Sequence, residues 1–178
     1  MMKWLLLLVL ILFANSLEAQ TEEIKKIRSH YSSVGALVKE CIDANECELY
    51  QNELVINGLH GEWRGSGSFK KVIRFWYNDI PTHCDECGRK GINVLQKIEI
   101  QETSAGYIYE YELLFDKGEL VFYYQTGGDE ELSFRYYFKD EKLIRHMKDQ
   151  SIISTEDIAY GQLLREGDEL QLLFLSSF

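Results

Sequence analysis

The stretch Tyr107–Lys148, YIYEYELLFDKGELVFYYQTGGDEELSFRYYFKDEKLIRHMK, decides the fold. Tyr107, Tyr109, Tyr111, Leu113 and Phe115 fall on one side of an extended chain, with Glu110, Glu112 and Leu114 on the other. Asp116-Lys117-Gly118 interrupts the pattern, and Leu120, Phe122 and Tyr124 resume it up to Thr126-Gly127-Gly128-Asp129. Leu132, Phe134, Tyr136 and Phe138 repeat it, and Lys139-Asp140-Glu141-Lys142 turns the chain into Leu143, Arg145 and Met147. Side chains on a strand point alternately to its two faces, so a period of two broken by regular turn residues predicts an antiparallel meander. The aromatic face is expected to be buried. The other, carrying Glu110, Glu112, Tyr123, Arg135 and Tyr137, is expected to face water.

Upstream, Leu54–Leu59 reads as a short strand, GEWRGSGSF (61–69) as a glycine-rich hairpin connection, Lys71–Asp79 as a central strand apolar on both faces, and Val94–Gln101 as a further strand. Before these, Ile24, Ile27, Tyr31, Val34, Val38 and Cys41 recur at spacings of three and four, one face of an amphipathic helix. Thr21 is placed to cap it, with Glu22 and Glu23 at the positive end of its dipole. The tail from Ser154 predicts a second helix with Ser154 or Thr155 as its cap and Ile158, Ala159, Leu163, Leu170 and Leu173 on one face; a strand over 170–175 is the alternative. The resulting expectation is an α+β fold, an antiparallel meander of about six strands with an N-terminal and a C-terminal helix packed on one face.

The chain opens MMKWLLLLVLILFANSLEAQ. Lys3, the apolar run Trp4–Ala14 and the exit Leu17-Glu18-Ala19 have the layout of a secretory signal peptide, with cleavage expected before Gln20. The run is shorter than the ~20 apolar residues that span a bilayer. The expected organisation is therefore a signal peptide at 1–19 and one domain at 20–178, exported to a periplasm or the exterior, with no membrane span after cleavage. The formal net charge of −10 repels phosphate backbones and excludes nucleic acid as an expected partner, while slightly favouring cationic ones.

An oxidising compartment makes disulfides the first reading of Cys41, Cys47, Cys84 and Cys87. Four cysteines allow three connectivities, and sequence spacing does not select among them. The alternative is zinc. Thr82-His83-Cys84-Asp85-Glu86-Cys87-Gly88-Arg89-Lys90 has the spacing of a zinc knuckle, with Cys41 and Cys47 as a wider second pair and His83 as a spare ligand. A third reading is thiol–disulfide exchange at Cys84 and Cys87, which Asp85 and Glu86 oppose by raising the thiol pKa.

Catalytic and cofactor motifs are missing from the sequence. The four histidines are scattered, no serine lies in a nucleophile elbow, and Gly65-Ser66-Gly67-Ser68 lacks the lysine of a phosphate loop. Glu110 and Glu112 share a strand face as a glycosidase pair would, and as ordinary solvated glutamates do far more often. The expected function is non-enzymatic binding or interaction without a cofactor. Tyr109, Tyr123, Tyr137 and Arg135 are the candidate ligand contacts on the tyrosine-rich sheet.

The text YELLFDKGELVFYY…RYYFKDEKLIRHM resembles uncharacterised exported bacterial α+β proteins, in which an aromatic strand like Arg135–Phe138 precedes one like Lys142–Arg145. The resemblance implies an α+β fold and an exported setting. It carries no activity and no site residue.

Overall fold

The computed structural model describes residues 2–43, 47–59, 61–65, 67–81, 93–129, 131–155 and 159–178, with side chains from residue 20 onward. Helix α1 spans Met2–Asp43 and is followed by strands β1 (Tyr50–Ile56), β2 (Glu62–Trp63), β3 (Gly67–Tyr77), β4 (Leu95–Ser104), β5 (Tyr107–Asp116), β6 (Glu119–Gly127), β7 (Ser133–Lys139), β8 (Lys142–Lys148) and β9 (Ser151–Ile153). Helix α2, Gly161–Leu175, closes the chain. The strands form one antiparallel sheet in the order β1-β3-β4-β5-β6-β7-β8-β9, with the short β2 beside β3. The α+β meander is as expected, with nine strands where about six were read. Seven of the nine correspond to the segments picked out above, and the other two are the two-residue β2 in the glycine-rich connection and β9 after the last alternating segment, both too short to display a period.

Two-residue turns drive the meander. Ala105-Gly106, Lys117-Gly118 and Asp140-Glu141 each have positive φ at both central positions, the backbone that matches the right-handed twist of flanking strands. At Lys117-Gly118 the glycine adopts φ 85° without a Cβ clash.

The helices lie on opposite faces, which corrects the expectation of one. Ile24, Ile27, Val34 and Val38 of α1 pack with Trp76, Leu114, Phe122 and Tyr137. Leu170 and Phe174 of α2 pack with Phe75, Ile98, Leu113, Phe115, Tyr123 and Phe138. The sheet is therefore apolar on both sides over part of its area. Tyr123 and Tyr137, assigned above to a solvated face, are each only 2% exposed. Leu114, grouped with Glu110 and Glu112, is fully buried beneath α1.

The physical reason lies in three register shifts, opposite Trp76/Tyr77, Leu114/Phe115 and Tyr137/Phe138. They leave Gln96, Val121 and Ile144 without a facing residue, and they fall along one line across the sheet through Trp76, Lys97, Leu114, Phe122 and Tyr137. Each extra residue resets the alternation. Leu120 packs toward α2 while Phe122 packs toward α1, although an unbroken period of two puts both on one face.

Helix α1 presents the face that its sequence spacing predicts, from Ile24 to Cys41. It is pinned by Lys139 to Glu23 at 2.9 Å and by His30 Nε2–H donating to the carbonyl of Phe115 at 3.0 Å. Cys41 and Cys47 form a disulfide with Cα atoms 4.6 Å apart, fastening the end of α1 to the approach of β1. Helix α2 resolves the choice between helix and strand at the C-terminus. It begins at Gly161, later than expected, and its N-cap Tyr160 makes no side-chain cap bond, so Ser154 and Thr155 are not its caps. Gly167 lies against β6, where an added Cβ would stand 3.1 Å from Leu120 Cδ2. That glycine permits close packing of α2 on the sheet rather than weakening the helix without return. Leu173 is 37% exposed and its neighbour Phe174 fills the core position.

Candidate ligand cleft

Cross-strand register arranges the α1 face of the sheet in rows. The row beneath the helix is Trp76, Lys97, Leu114, Phe122 and Tyr137. The next row, along the flank of α1, is Arg74, Glu99, Glu112, Tyr124, Arg135 and Met147. An apolar row thus gives way within one pleat to a charged one, and α1 borders the transition.

At the β4–β5 end of this border lies a buried polar network. Lys97, with its side chain 6% exposed, sits 2.8 Å from Glu99 and 2.8 Å from Glu112. Tyr31 donates its hydroxyl proton to Glu112 Oε2 at 2.6 Å, and Trp76 donates its indole N–H to Glu99 Oε2 at 3.0 Å. Burial works to lower the Lys97 pKa, and the two carboxylates outweigh it, so the ammonium is held above its ordinary value. Burial, then the hydrogen bond to Glu112, pushes the Tyr31 phenol well above its ordinary value. Both groups keep their protons near neutrality. The network satisfies buried polar atoms that would otherwise be costly. Glu112 is engaged here, whereas Glu110, two residues away on the same strand face, is exposed.

At the β6–β8 end, α1 and the sheet leave a cleft of about 350 Å³. Ile27, Tyr31, Phe122, Tyr137 and Met147 supply its apolar walls, and Arg28, Arg135 and Asp149 reach its rim. Arg28 Nε–H donates to the Tyr137 hydroxyl at 3.2 Å, with its guanidinium carbon 5.5 Å from that ring's centroid. Arg135 donates to the backbone carbonyl of Asp149 and lies 5.5 Å from the Tyr124 ring centroid. Neither guanidinium is within ion-pair distance of a carboxylate of another described residue. Asp149 accepts from the backbone N–H of Ser133 at 3.0 Å and from its hydroxyl at 3.2 Å; these bonds, the backbone one foremost, hold its carboxyl below the ordinary range.

Of the ligand contacts read from sequence, only Tyr137 and Arg135 meet in this cleft. Tyr109 and Tyr123 lie on the α2 side of the sheet. The Tyr109 ring packs beneath Gly128, and Tyr123 is buried with its hydroxyl donating to Glu166 at 3.1 Å. Sequence reasoning missed Arg28, Tyr31 and Asp149. Arg28 and Tyr31 are three residues apart on one flank of α1, a spacing that places a cation and an aromatic side by side at the edge of the apolar face. Asp149 gives no such signal.

Cys84, Cys87 and His83 lie outside the described residues. The bond between Cys41 and Cys47 is one of the two links of the local connectivity; it is incompatible with the crossed pairings and with zinc ligation by those two sulfurs as thiolates. Among the described residues there is no group of three or more side chains placed to hold a metal, and no helix is long and apolar enough to cross a membrane. No family model, curated protein or solved structure matches the chain.

Proposed function

We propose that the chain is an exported, non-enzymatic binding domain, made up of residues 20–178 after loss of the leader, whose ligand occupies the cleft between α1 and β6–β8. The observation that carries this reading is the pair Arg28 and Arg135, unpaired with any described carboxylate, at the rim of an aromatic cleft. A chain with 29 acidic against 19 basic side chains has carboxylates in excess, yet among the described residues neither cation forms an ion pair, and the Asp149 carboxylate acts on Arg135 only at longer range. The cleft volume falls at the lower end of the ~300–1,000 Å³ range of small-molecule sites. The locked protons of Tyr31 and Lys97 favour binding over proton-transfer chemistry. The local charge of the cleft, opposite to that of the chain, takes precedence over the preference for cationic partners read from net charge. Thiol–disulfide exchange or zinc at Cys84 and Cys87 remains the alternative, with no help from Cys41 and Cys47.

The test is titration of the folded chain with anilinonaphthalene sulfonate, an aromatic anion. Saturable fluorescence with one site per chain is expected, and Ser32→Trp, which fills the cleft from an exposed helix position, should abolish it. No saturable signal, or an unchanged signal in Ser32→Trp, overturns the assignment. Export is tested separately by N-terminal sequencing of the exported protein, which should begin near Gln20; a mature protein retaining Trp4 refutes it.

A further inference from the structure

The same cleft carries information on the charge and shape of its ligand, and the following rests on the binding reading above. The rim holds two guanidiniums and one carboxylate, Arg28, Arg135 and Asp149. Asp149 is oriented by Ser133 through two hydrogen bonds, which a dense anion would have to displace to move it from the rim. A ligand head group therefore meets two positive charges and one negative charge, a net excess of one positive charge. The chain as a whole carries a formal net charge of −10, which further disfavours a dianion at longer range. A guanidinium presents its donors in a planar fork that matches a carboxylate. Arg28 uses Nε on Tyr137 and Nη2 on the Met147 sulfur at 3.7 Å, and Arg135 uses Nη1 on the Asp149 carbonyl, leaving Nη1 of Arg28 and Nη2 of Arg135 for a ligand head group. Behind the rim the half-buried Tyr31 ring and Met147 thioether face the cleft, and Ile27, Phe122 and Tyr137, each 5% exposed or less, show it only an edge. Tyr31, its hydroxyl committed to Glu112, turns its ring rather than a polar group to the cleft and meets Phe122 edge-on at 5.1 Å.

We propose that the cleft selects an amphipathic monoanion, a single carboxylate on an apolar chain or ring, whose head lies between Arg28 and Arg135 and whose body lies along Tyr31, Phe122 and Met147. An inorganic anion lacks the body, a neutral alcohol lacks the head, and an alkyl phosphate carries a second charge that Asp149 repels.

The experiment displaces anilinonaphthalene sulfonate from the full exported chain with four probes, each built on a ten-carbon chain: decanoate, decyl phosphate, decyltrimethylammonium and decanol, each below its micelle threshold and above pH 7. Decanoate should displace best. Arg135→Gln should weaken decanoate by roughly tenfold or more, the size of a lost charge-assisted hydrogen bond, while decanol stays unchanged. Asp149→Asn keeps an acceptor for Ser133 and removes the charge, so it should improve decyl phosphate more than decanoate. This gain keeps the test informative should Arg135→Gln fail to fold. Displacement by decanol or decyltrimethylammonium as strong as by decanoate would refute the monoanion class and leave the binding reading intact. If no probe binds and the dye signal is absent, both fall. A Ser32→Trp chain that still binds decanoate would place the ligand elsewhere and overturn the proposal.

Discussion

Lys97 and Tyr31 converge on one oxygen, Glu112 Oε2, from 2.8 Å and 2.6 Å, and so tie α1 to β4 and β5 beneath the helix. This convergence makes Lys97, 5% exposed, a charge that is costly to replace. Its removal leaves Glu99 and Glu112, adjacent in one cross-strand row, without their shared counter-ion. Breaking a buried pair costs ~3–5 kcal/mol, and because the two carboxylates are 25% exposed the expected loss for Lys97→Met is near the lower end, about 3 kcal/mol. Tyr31→Phe removes one hydrogen bond to a charged group and should cost ~1.5–3 kcal/mol. Urea midpoints measure both. A Lys97→Met protein as stable as the parent would contradict a stabilising network.

On β7 the ranking of two aromatics reverses the one that alternation alone gives. Tyr137 is 2% exposed under α1, while Phe134 is half-buried near the open end of the sheet. Tyr137→Ala should cost ~3–5 kcal/mol and Phe134→Ala less, read as the difference between their urea midpoints. Equal losses would count against the observed burial.

His146 is 6% exposed, with its ring stacked 4.5 Å from Tyr136 and 6.1 Å from Phe134, and neither ring nitrogen has a hydrogen-bond partner among the described residues. Burial depresses its pKa below the ordinary 6.5. The unfolded chain therefore binds the proton first as pH falls, so the stability associated with neutral His146 is full above pH 6.5 and declines as pH drops below that value toward the folded pKa. His146→Phe should flatten this part of the profile. Unfolding free energies of both proteins at pH 7.5 and pH 5 check it, with carboxylate effects common to the two; parallel profiles would remove His146 from the account.

Gly127 has φ 122°, and a Cβ there would stand 2.2 Å from the Ile108 carbonyl oxygen and 2.7 Å from the Tyr109 Cα. Both obstacles are backbone of the paired strand, so neither yields as a flexible side chain would. Gly127→Ala should cost at least ~2 kcal/mol through strain at this position, measured by thermal unfolding. Exposed Gly161→Ala at the start of α2, with nothing within 4 Å of its Cβ position, should be neutral or mildly stabilising.

The strands and helices were legible wherever a long period ran unbroken. The whole inner face of α1, from Ile24 to Cys41, was readable because 3.6-residue spacing holds across it. The faces of the sheet were not readable, because Gln96, Val121 and Ile144 each shift the phase, and nothing in their side chains announces an unpaired position. The assumption that one face must be wet then placed Tyr123 and Tyr137 wrongly and both helices on one side. Of the cleft, Arg135 and Tyr137 were legible as residues but not as neighbours of Arg28, which is 109 positions from Tyr137 in sequence. Local pairing of Cys41 and Cys47 was one of three connectivities that spacing left open, and it was chosen by the way the end of α1 returns toward β1.

The strand order has a kinetic consequence. From β4 to β9 every neighbour in space is the next strand in sequence, joined by connections of two to five residues. Short loops have small closure entropies and local contacts speed folding, so this part of the sheet is expected to assemble hairpin by hairpin without waiting for either end of the chain. Helix α1 makes its contacts with β5 and β7 across separations of 81 to 116 residues and is expected to dock late. The cleft is thus roofed by the element expected to join last, and amide exchange should release α1 before β5 and β6. A bound ligand would then act as a latch, slowing exchange in α1 and leaving the central strands unaffected.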